Sequence, residues 1–387
     1  MGLGPGGREM TFRTSAPTAI VAAIVVVVLA TIYFSMRLFS GMVNDVEVQQ
    51  FTLIRSLVQT AIIDAENKAL ARAELIADLP RVQQLFAAQD RAGLTAELGR
   101  MLANQKNRHG VDQAQFHLAP AMSFLRLHDL SRFGDDLTAT RPMVVALNRD
   151  RVPLKSPAIA ANGPGIFGGT PVFDAGGRHL GSFEVGIAFG PLMAGLKSAY
   201  NLDLGLFVEE RPLRDFAKGV DPERLGDQNR FGKYIRFEST NGALISAVTT
   251  PEDLAAVTEP VTYVREVDGV VRGVVLVPIN NTAGTPLGVI AATADFSASR
   301  AGANRTLIWQ AAFALIGIVL LSGFVIAILR GFVVRPLEVL SKSFEGVSKG
   351  GSLAEIEGAD HFPAEMQPIV QVYGRLRAHR NAAATKG

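Results

Sequence analysis

The chain has 387 residues, 48% of them hydrophobic and only 19% charged, a balance too apolar for a disordered chain and suggestive of membrane segments. A formal net charge of +2 gives no electrostatic reason to expect a nucleic-acid partner. The complete lack of cysteine excludes a disulfide, a thiolate nucleophile and a cysteine-rich zinc site.

Residues 19–34 read AIVAAIVVVVLATIYF, and the apolar run carries on to Phe39 with Arg37 as its only charge. Residues 307–329 read LIWQAAFALIGIVLLSGFVIAIL and hold no charge. A helix crossing the bilayer needs about 20 such residues, because its backbone can bond only to itself. Two transmembrane helices are therefore predicted, over 18–39 and 306–330. A cleaved signal peptide, with Arg8 and Arg13 as its basic start, is the alternative for the first. Two spans put both termini on one side of the membrane. The expected order is a cytoplasmic N-terminus (1–17), an extracytoplasmic domain (40–305) and a cytoplasmic end. Arg330, Arg335 and Lys342 follow the second span on the cytoplasmic side; Arg300 and Arg305 precede it, but long loops cross regardless of charge.

Residues 43–79 hold few breakers and end at Pro80, which predicts one long helix rising from the membrane. Val43, Val46, Leu53 and Leu57 fit a heptad seam around Gln50, suited to pairing with a second copy or to packing on the helix's own domain. Next comes the densest chemistry in the chain, residues 116–137: FHLAPAMSFLRLHDLSRFGDDL. After about Ala139 the pattern shifts towards strands. TPVFDAGGRHLGSFEVGIAF (170–189) predicts a hairpin, 192–200 a helix and 202–210 a strand. GVVRGVVLVPINNTAGTPLGVIAATADF (269–296) predicts two long strands about a turn. Both hairpins share an apolar strand, a Gly-rich turn, Leu-Gly and a second apolar strand. This weak repeat suggests two related α+β modules in series.

Beyond the second span, Leu337, Leu340, Phe344 and Val347 are spaced 3, 4, 3, and so are Met366, Ile369, Tyr373 and Leu376. A connector with Gly350, Gly351 and Gly358 joins the two stripes. A parallel four-helix bundle from two chains would bury both. With Arg335-Pro336-Leu337 opening directly after a span, and Glu365-Met366 where the family usually has Asp-Glu-Ile-Gly, residues 331–380 resemble a HAMP domain. About seven residues (381–387) follow, so the expected output is either on a longer receptor or on a separate cytoplasmic signalling protein.

Span, long helix, paired modules, span and HAMP-like tail together resemble the double Cache sensors of chemoreceptors, sensor kinases and cyclic-dinucleotide enzymes. FHL-x-P-A-x-SFLR-x-H and FGDDL, with Arg141 after them, sharpen the likeness, as does GIFGGTPVFDAGGRHLGSFEVG with Gly181, Ser182, Glu184 and Gly186. AIAANGPGIFGG stands where relatives have Leu-Glu-x-Gly and an arginine. The resemblance implies an α+β fold: two PAS-like Cache modules on a long N-terminal helix, distal over about 80–190 and proximal over about 200–300, flanked by two transmembrane helices and followed by a helical HAMP region. It implies a homodimeric multi-pass receptor of the bacterial inner membrane, its sensor domain outside, reading a small molecule for signal transduction or chemotaxis.

In such a pocket Arg126 and Arg141 would each grip a carboxylate, which favours a carboxylate or amino-acid-like ligand. Asp135 or Asp136 would accept from an ammonium or hydroxyl. His117 and His128 would do either and make the response pH-sensitive. Phe116, Phe124 and Phe133 would wall the pocket, and Glu184 would reach it or face solvent. Structural roles compete at each position. One of the aspartates suits a turn or helix cap, Arg126 and Asp136 suit an ion pair, His128 a surface site, and His117 a core hydrogen bond. The His117, His128 and aspartate spacing fits no strong zinc or calcium signature, so no metal or cofactor is expected. No nucleophile elbow, HExxH or Walker loop is present, and GPGIFGG lacks a strand-to-helix setting, so no enzyme is expected. A membrane-anchored regulatory subunit with a ligand-free Cache domain is the alternative to a receptor.

Overall fold

The structure, a computed structural model, describes residues 12–348 and 355–384. Arg8, and Gly350 and Gly351 of the tail connector, lie outside these residues, as do the side chains of Arg13, Val43, Arg300, Arg305 and Val347. The chain divides into two compact units, residues 43–300 and residues 1–42 with 301–387.

Helix α1 (Phe12–Ala77) enters the first unit at residue 43 and is followed there by α2 (Pro80–Ala87) and α3 (Arg91–His109). Proline at 80 and glycine at 110 explain two of these limits. Pro80 suits a first helical turn, where its missing N–H is not needed. Gly110, at φ 69°, ends α3 in the left-handed conformation, and the Asp90 side chain caps its start by accepting from the Gly93 N–H. Strands β1 (Val111–Leu118) and β2 (Met122–Arg126) come next, then α4 (Pro142–Asp150), β3 (Leu154–Ala160), β4 (Gly163–Phe173) and β5 (His179–Ala188). They form a five-stranded antiparallel sheet in the order β2-β1-β5-β4-β3.

Helix α5 (Phe189–Tyr200) leads to β6 (Asp203–Glu209), α6 (Glu210–Phe216), β7 (Arg230–Phe231), β8 (Tyr234–Ser239), α7 (Gly242–Val248), α8 (Pro251–Ala255), β9 (Val261–Val267), β10 (Val270–Asn280) and β11 (Pro286–Asp295). This second sheet runs β7-β8-β6-β11-β10-β9. Apart from the added edge strand β7, it repeats the first order strand for strand. The α+β class and the two hairpins are thus as expected. Two sequence expectations fail between residues 111 and 150: strands begin at Val111 rather than after Ala139, and residues 142–150 form a helix. Residues 113–118 alternate polar and apolar as a strand does, and Pro142 opens the helix in its first turn.

One face of each sheet packs on α1. Ile54, Val58 and Ala65 join the proximal core with Phe189, Leu206 and Ile290. Ala69, Ala73 and Ala77 join the distal core with Phe86, Phe116, Phe183 and Val185. Fully burying each of these phenylalanines stabilises the fold by ~2–3 kcal/mol. Alanine on α1 is matched by glycine on β4. A Cβ on Gly168 would lie 2.1 Å from the Leu70 backbone nitrogen, so sheet and helix touch backbone to backbone. The seam residues Val46 and Leu53 stay exposed in the single chain, whereas Leu57 packs against the proximal core.

In the second unit, α9 (Ser297–Leu329) passes through a single π turn, Arg330–Val334, into α10 (Arg335–Ser348). Pro336 supplies no N–H to the ladder there. Two helical stretches, Ile20–Leu38 and Ile308–Glu345, are long and apolar enough to cross a membrane. In the tail, α11 (Gln367–Ala384) completes a small cluster in which Leu340, Ile356 and Tyr373 are buried, with Phe344 and Met366 against them. The Phe344 and Tyr373 rings meet edge-on at 5.4 Å. Leu337, Ile369 and Leu376, from the same two stripes, are exposed in the single chain.

Candidate functional site

The distal sheet has an apolar face towards α1–α3 and a polar face towards α4. Residues opposite each other on neighbouring strands point to the same side. Gln115 on β1 stands opposite Arg126 on β2 and Glu184 on β5, and His117 stands opposite Ser123 and Ser182. The result is two polar rows across three strands. Gln115, His117, Ser123, Arg126, Ser182 and Glu184 are all buried, His117, Ser123 and Ser182 completely. Arg141 and Asn148 close over them, before and within α4. This close cover depends on missing side chains. A Cβ on Gly169 would lie 2.6 Å from Leu147 Cδ1 of α4, and one on Gly186 would lie 2.5 Å from the Phe167 ring.

Two ion pairs organise the cluster. Arg126 holds Asp135 through two 2.7 Å hydrogen bonds and also donates to the Arg132 carbonyl. Arg126 is buried, but the Asp135 side chain is 45% exposed. The hydrogen bonds from Arg126 hold the Asp135 carboxyl below its usual range. Arg141 donates to Glu184 at 2.6 Å, with both side chains buried, and its guanidinium lies 4.4 Å from the Phe167 ring centre. Burial pushes the Glu184 carboxyl up, against the pull of Arg141. Asn148 bridges the Pro120 carbonyl and the Ser182 hydroxyl. Gln115 donates to Ser123.

The unsatisfied groups are as informative as the satisfied ones. Both ring nitrogens of His117, Nε of Arg141 and Oδ1 of Asn148 are buried without a hydrogen-bond partner. The nearest carboxylate oxygen to His117 Nε2 is Glu184 Oε1, at 3.7 Å. A buried polar atom left unpaired costs ~1–3 kcal/mol, so folded proteins rarely keep several together without a function.

Other sequence candidates fall elsewhere. Asp136 is exposed and accepts from the Thr138 N–H and hydroxyl, the turn role foreseen for one of the aspartates. The partner of Arg126 is Asp135, not Asp136. His128 Nδ1 lies 3.2 Å from the Ala114 nitrogen and 3.1 Å from its carbonyl oxygen, bound to the strand rather than free at the surface. Desolvation lowers both histidines, His128 to about 4 and His117 well below its usual value, with Arg141 and Arg126 adding to the second. Burial therefore favours the neutral form of both rings.

The aromatic wall is also misplaced. Register between β1 and β2 slips after Phe116, so Phe124 has no direct partner and turns to the helix side. Its ring lies 5.3 Å from Phe86, and Phe116 stacks between Phe86 and Phe183 in the same core. Phe133 is exposed, with Arg91 over its ring at 3.9 Å. Gln115 and Asn148 are site residues the sequence reading missed. Gln113, Gln115 and His117 alternate with Ala114, Phe116 and Leu118. That period of two was the available signal.

Comparison with solved structures returns sensor domains at low similarity. An extracellular ligand-binding receptor from Desulfohalobium retbaense DSM5692 is 14% identical with a TM-score of 0.34, the match covering 63% of this chain and 40% of that one. The chain thus spans less than half of that receptor. The sensor domain of the V. cholerae histidine kinase DctB is 12% identical, TM-score 0.36, covering 66% of this chain and 98% of that one. The ligand-binding domain of the Campylobacter jejuni chemoreceptor Tlp3, solved with L-valine, is 11% identical, TM-score 0.32, covering 72% and 97%. No curated protein matches the chain. Residues 47–298, well over half of the sequence, match the dCache_3 profile, described as the double sensory domain of two-component sensor kinase, and the chain belongs to that double Cache family.

Proposed function

We propose that the chain is a transmembrane receptor whose distal module, about residues 80–190, binds a small carboxylate or amino-acid-like ligand at Arg126, Arg141, His117 and Glu184. The observation that carries this reading is the set of orphaned buried polar atoms on His117, Arg141 and Asn148. They converge on the face that also holds two arginine–carboxylate pairs. With both histidines neutral, Arg126, Arg141, Asp135 and Glu184 balance in charge. A zwitterion adds no net charge to such a site. Its carboxylate would replace Asp135 on Arg126, the exchange favoured by the exposure of Asp135. Its ammonium would face Glu184. Losing Asp135 from Arg126 frees the segment 127–141 and gives binding a conformational consequence.

In this reading residues 18–39 and 306–330 cross the bacterial inner membrane, with 40–305 outside, the proximal module over about 200–300, and the termini in the cytoplasm. The exposed Val46 and Leu53 on α1 suit a homodimer seam. Residues 331–380 act as a HAMP domain. A second chain would cover the exposed Leu337, Ile369 and Leu376, and the relay passes to an output on a longer chain or a separate cytoplasmic protein. One observation favours the alternative of a regulatory subunit with a ligand-free domain: both arginines already have carboxylate partners.

Thermal unfolding of the full chain in detergent, screened against amino acids and small carboxylates, separates the two. A receptor gains stability with one ligand class and loses that gain on Arg126→Ala. A scaffold shows no ligand-dependent shift with any of them.

A further inference from the structure

The opposite face of the distal sheet carries a cavity that the polar site does not use. It measures about 120 Å³ and lies between α1, α3 and strands β1 and β5. Its floor is Leu98, Ala114, Phe183 and Val185, all buried. At its outer edge stand Leu75, 71% exposed, and the partly exposed Met101. An unfilled apolar cavity lowers stability in proportion to its volume, so one that reaches the surface needs an explanation. Engineered apolar cavities of about 150 Å³ take up benzene. The space here suits a single aromatic ring or a short alkyl chain.

Arg72 supplies the polar end. It lines the same cavity, and its guanidinium is held in place by Gln105 Oε1 at 2.9 Å and the Lys68 carbonyl at 2.9 Å. Unlike Arg126 and Arg141, it makes no ion pair among the described residues. An apolar floor with one positioned, unpaired guanidinium at the mouth is complementary to an amphiphilic anion. We infer that the distal module has a second ligand site, on the helix side of its sheet, for a small apolar monocarboxylate. Ala114, Phe183 and Val185 alternate along their strands with Gln115, Ser182 and Glu184. An occupant of this cavity therefore presses on the strands that carry the polar face.

The test is calorimetric titration of the full chain in nanodiscs at pH 7 with benzoate, benzyl alcohol and acetate. Benzoate is expected to bind saturably, benzyl alcohol about tenfold more weakly, and acetate not at all. Arg72→Gln brings benzoate down to the benzyl alcohol level without changing benzyl alcohol, and Met101→Trp, which fills the space, abolishes both. Should Met101→Trp misfold, the Arg72→Gln comparison alone decides. Absence of saturable benzoate binding overturns the inference, and so does binding unaffected by Arg72→Gln. Loss of benzoate binding in Glu184→Gln would move the site to the polar face and also overturn it. Uptake only by a Leu75→Glu variant that no longer self-associates would assign the cavity to a second copy of the chain instead.

Discussion

The two modules of the sensor share a backbone and differ in what they bury. Gly181 and Gly288 mark the correspondence: a Cβ on either would lie 2.1 Å from a backbone carbonyl oxygen, of His117 in one module and Phe207 in the other. The hairpin turns match too. Asp174 and Asn281 accept the turn N–H groups, and Gly177 and Gly284 take positive φ three residues on. Even the slip in register recurs, after Phe116 and after Leu206. On this alignment His117, Ser182 and Glu184 of the distal module correspond to Phe207, Val289 and Ala291 of the proximal one. The proximal face is an ordinary apolar core, with Tyr234, Ile245 and Val248 packed on it. This fold therefore does not need a charged face beneath its covering helix. The distal module keeps one at a cost of several unpaired polar atoms, and that contrast is the strongest argument for a ligand there.

The largest test of the contrast converts one face into the other. Glu184→Ala copies the proximal residue but leaves Arg141 buried and unpaired, with an expected loss of about 3–5 kcal/mol in denaturant unfolding. Adding Arg141→Met should recover most of it. A double variant as unstable as the single would show that the pair itself stabilises the module. Asp135→Ala strips the charged bonds from Arg126 and should cost about 1.5–3 kcal/mol, less than Glu184→Ala because water reaches that partner. Gly181→Ala and Gly288→Ala should each cost roughly 1–3 kcal/mol, Gly181→Ala the more, because Gly181 also sits at φ 149°. A negligible loss at either position would break the structural equivalence of the modules.

Buried titratable groups in and around the distal sheet also set a pH signature. Between about pH 6.5 and 4 the unfolded chain takes up a proton at His128 that the folded chain refuses, so this group makes stability fall on acidification, by at most ~1.4 kcal/mol per pH unit. Asp112, raised to about 6 by burial, and Glu184 act in the opposite sense, gaining stability as pH falls through the same region. The clean measurement is the difference in unfolding free energy between wild type and His128→Gln, which should shrink from pH 7 to pH 4. A constant difference would mean that His128 takes up its proton as readily in the folded chain as in the unfolded one. Asp136→Ala, confined to an exposed turn, should change stability by under about 0.5 kcal/mol and leave any ligand response intact.

Much of this organisation was legible in the residues. Apolar runs marked the two candidate spans, and the Leu-Gly hairpins marked the repeat, because those signals are local. Arg126, Arg141, His117, Asp135 and Glu184 do gather in one place. Phe124 went astray because a bulge changes which side of a strand a residue faces, and a bulge leaves no mark in composition. Asn148 was invisible for a related reason: it reaches the site across the sheet, through Ser182, and no spacing along the chain encodes that contact.

The meeting of Gly168 with the backbone of α1 has a mechanical meaning. Most sheet-on-helix contacts are cushioned by side chains that can change rotamer and absorb a small displacement. Here the cushion is missing, and the same helix carries Ala69 into one core and Ile54 and Val58 into the other. A sub-ångström movement of β4 has nowhere to dissipate at that joint. It must either be resisted by the whole distal core or be handed along the rod to its neighbour, as in a bearing machined without clearance.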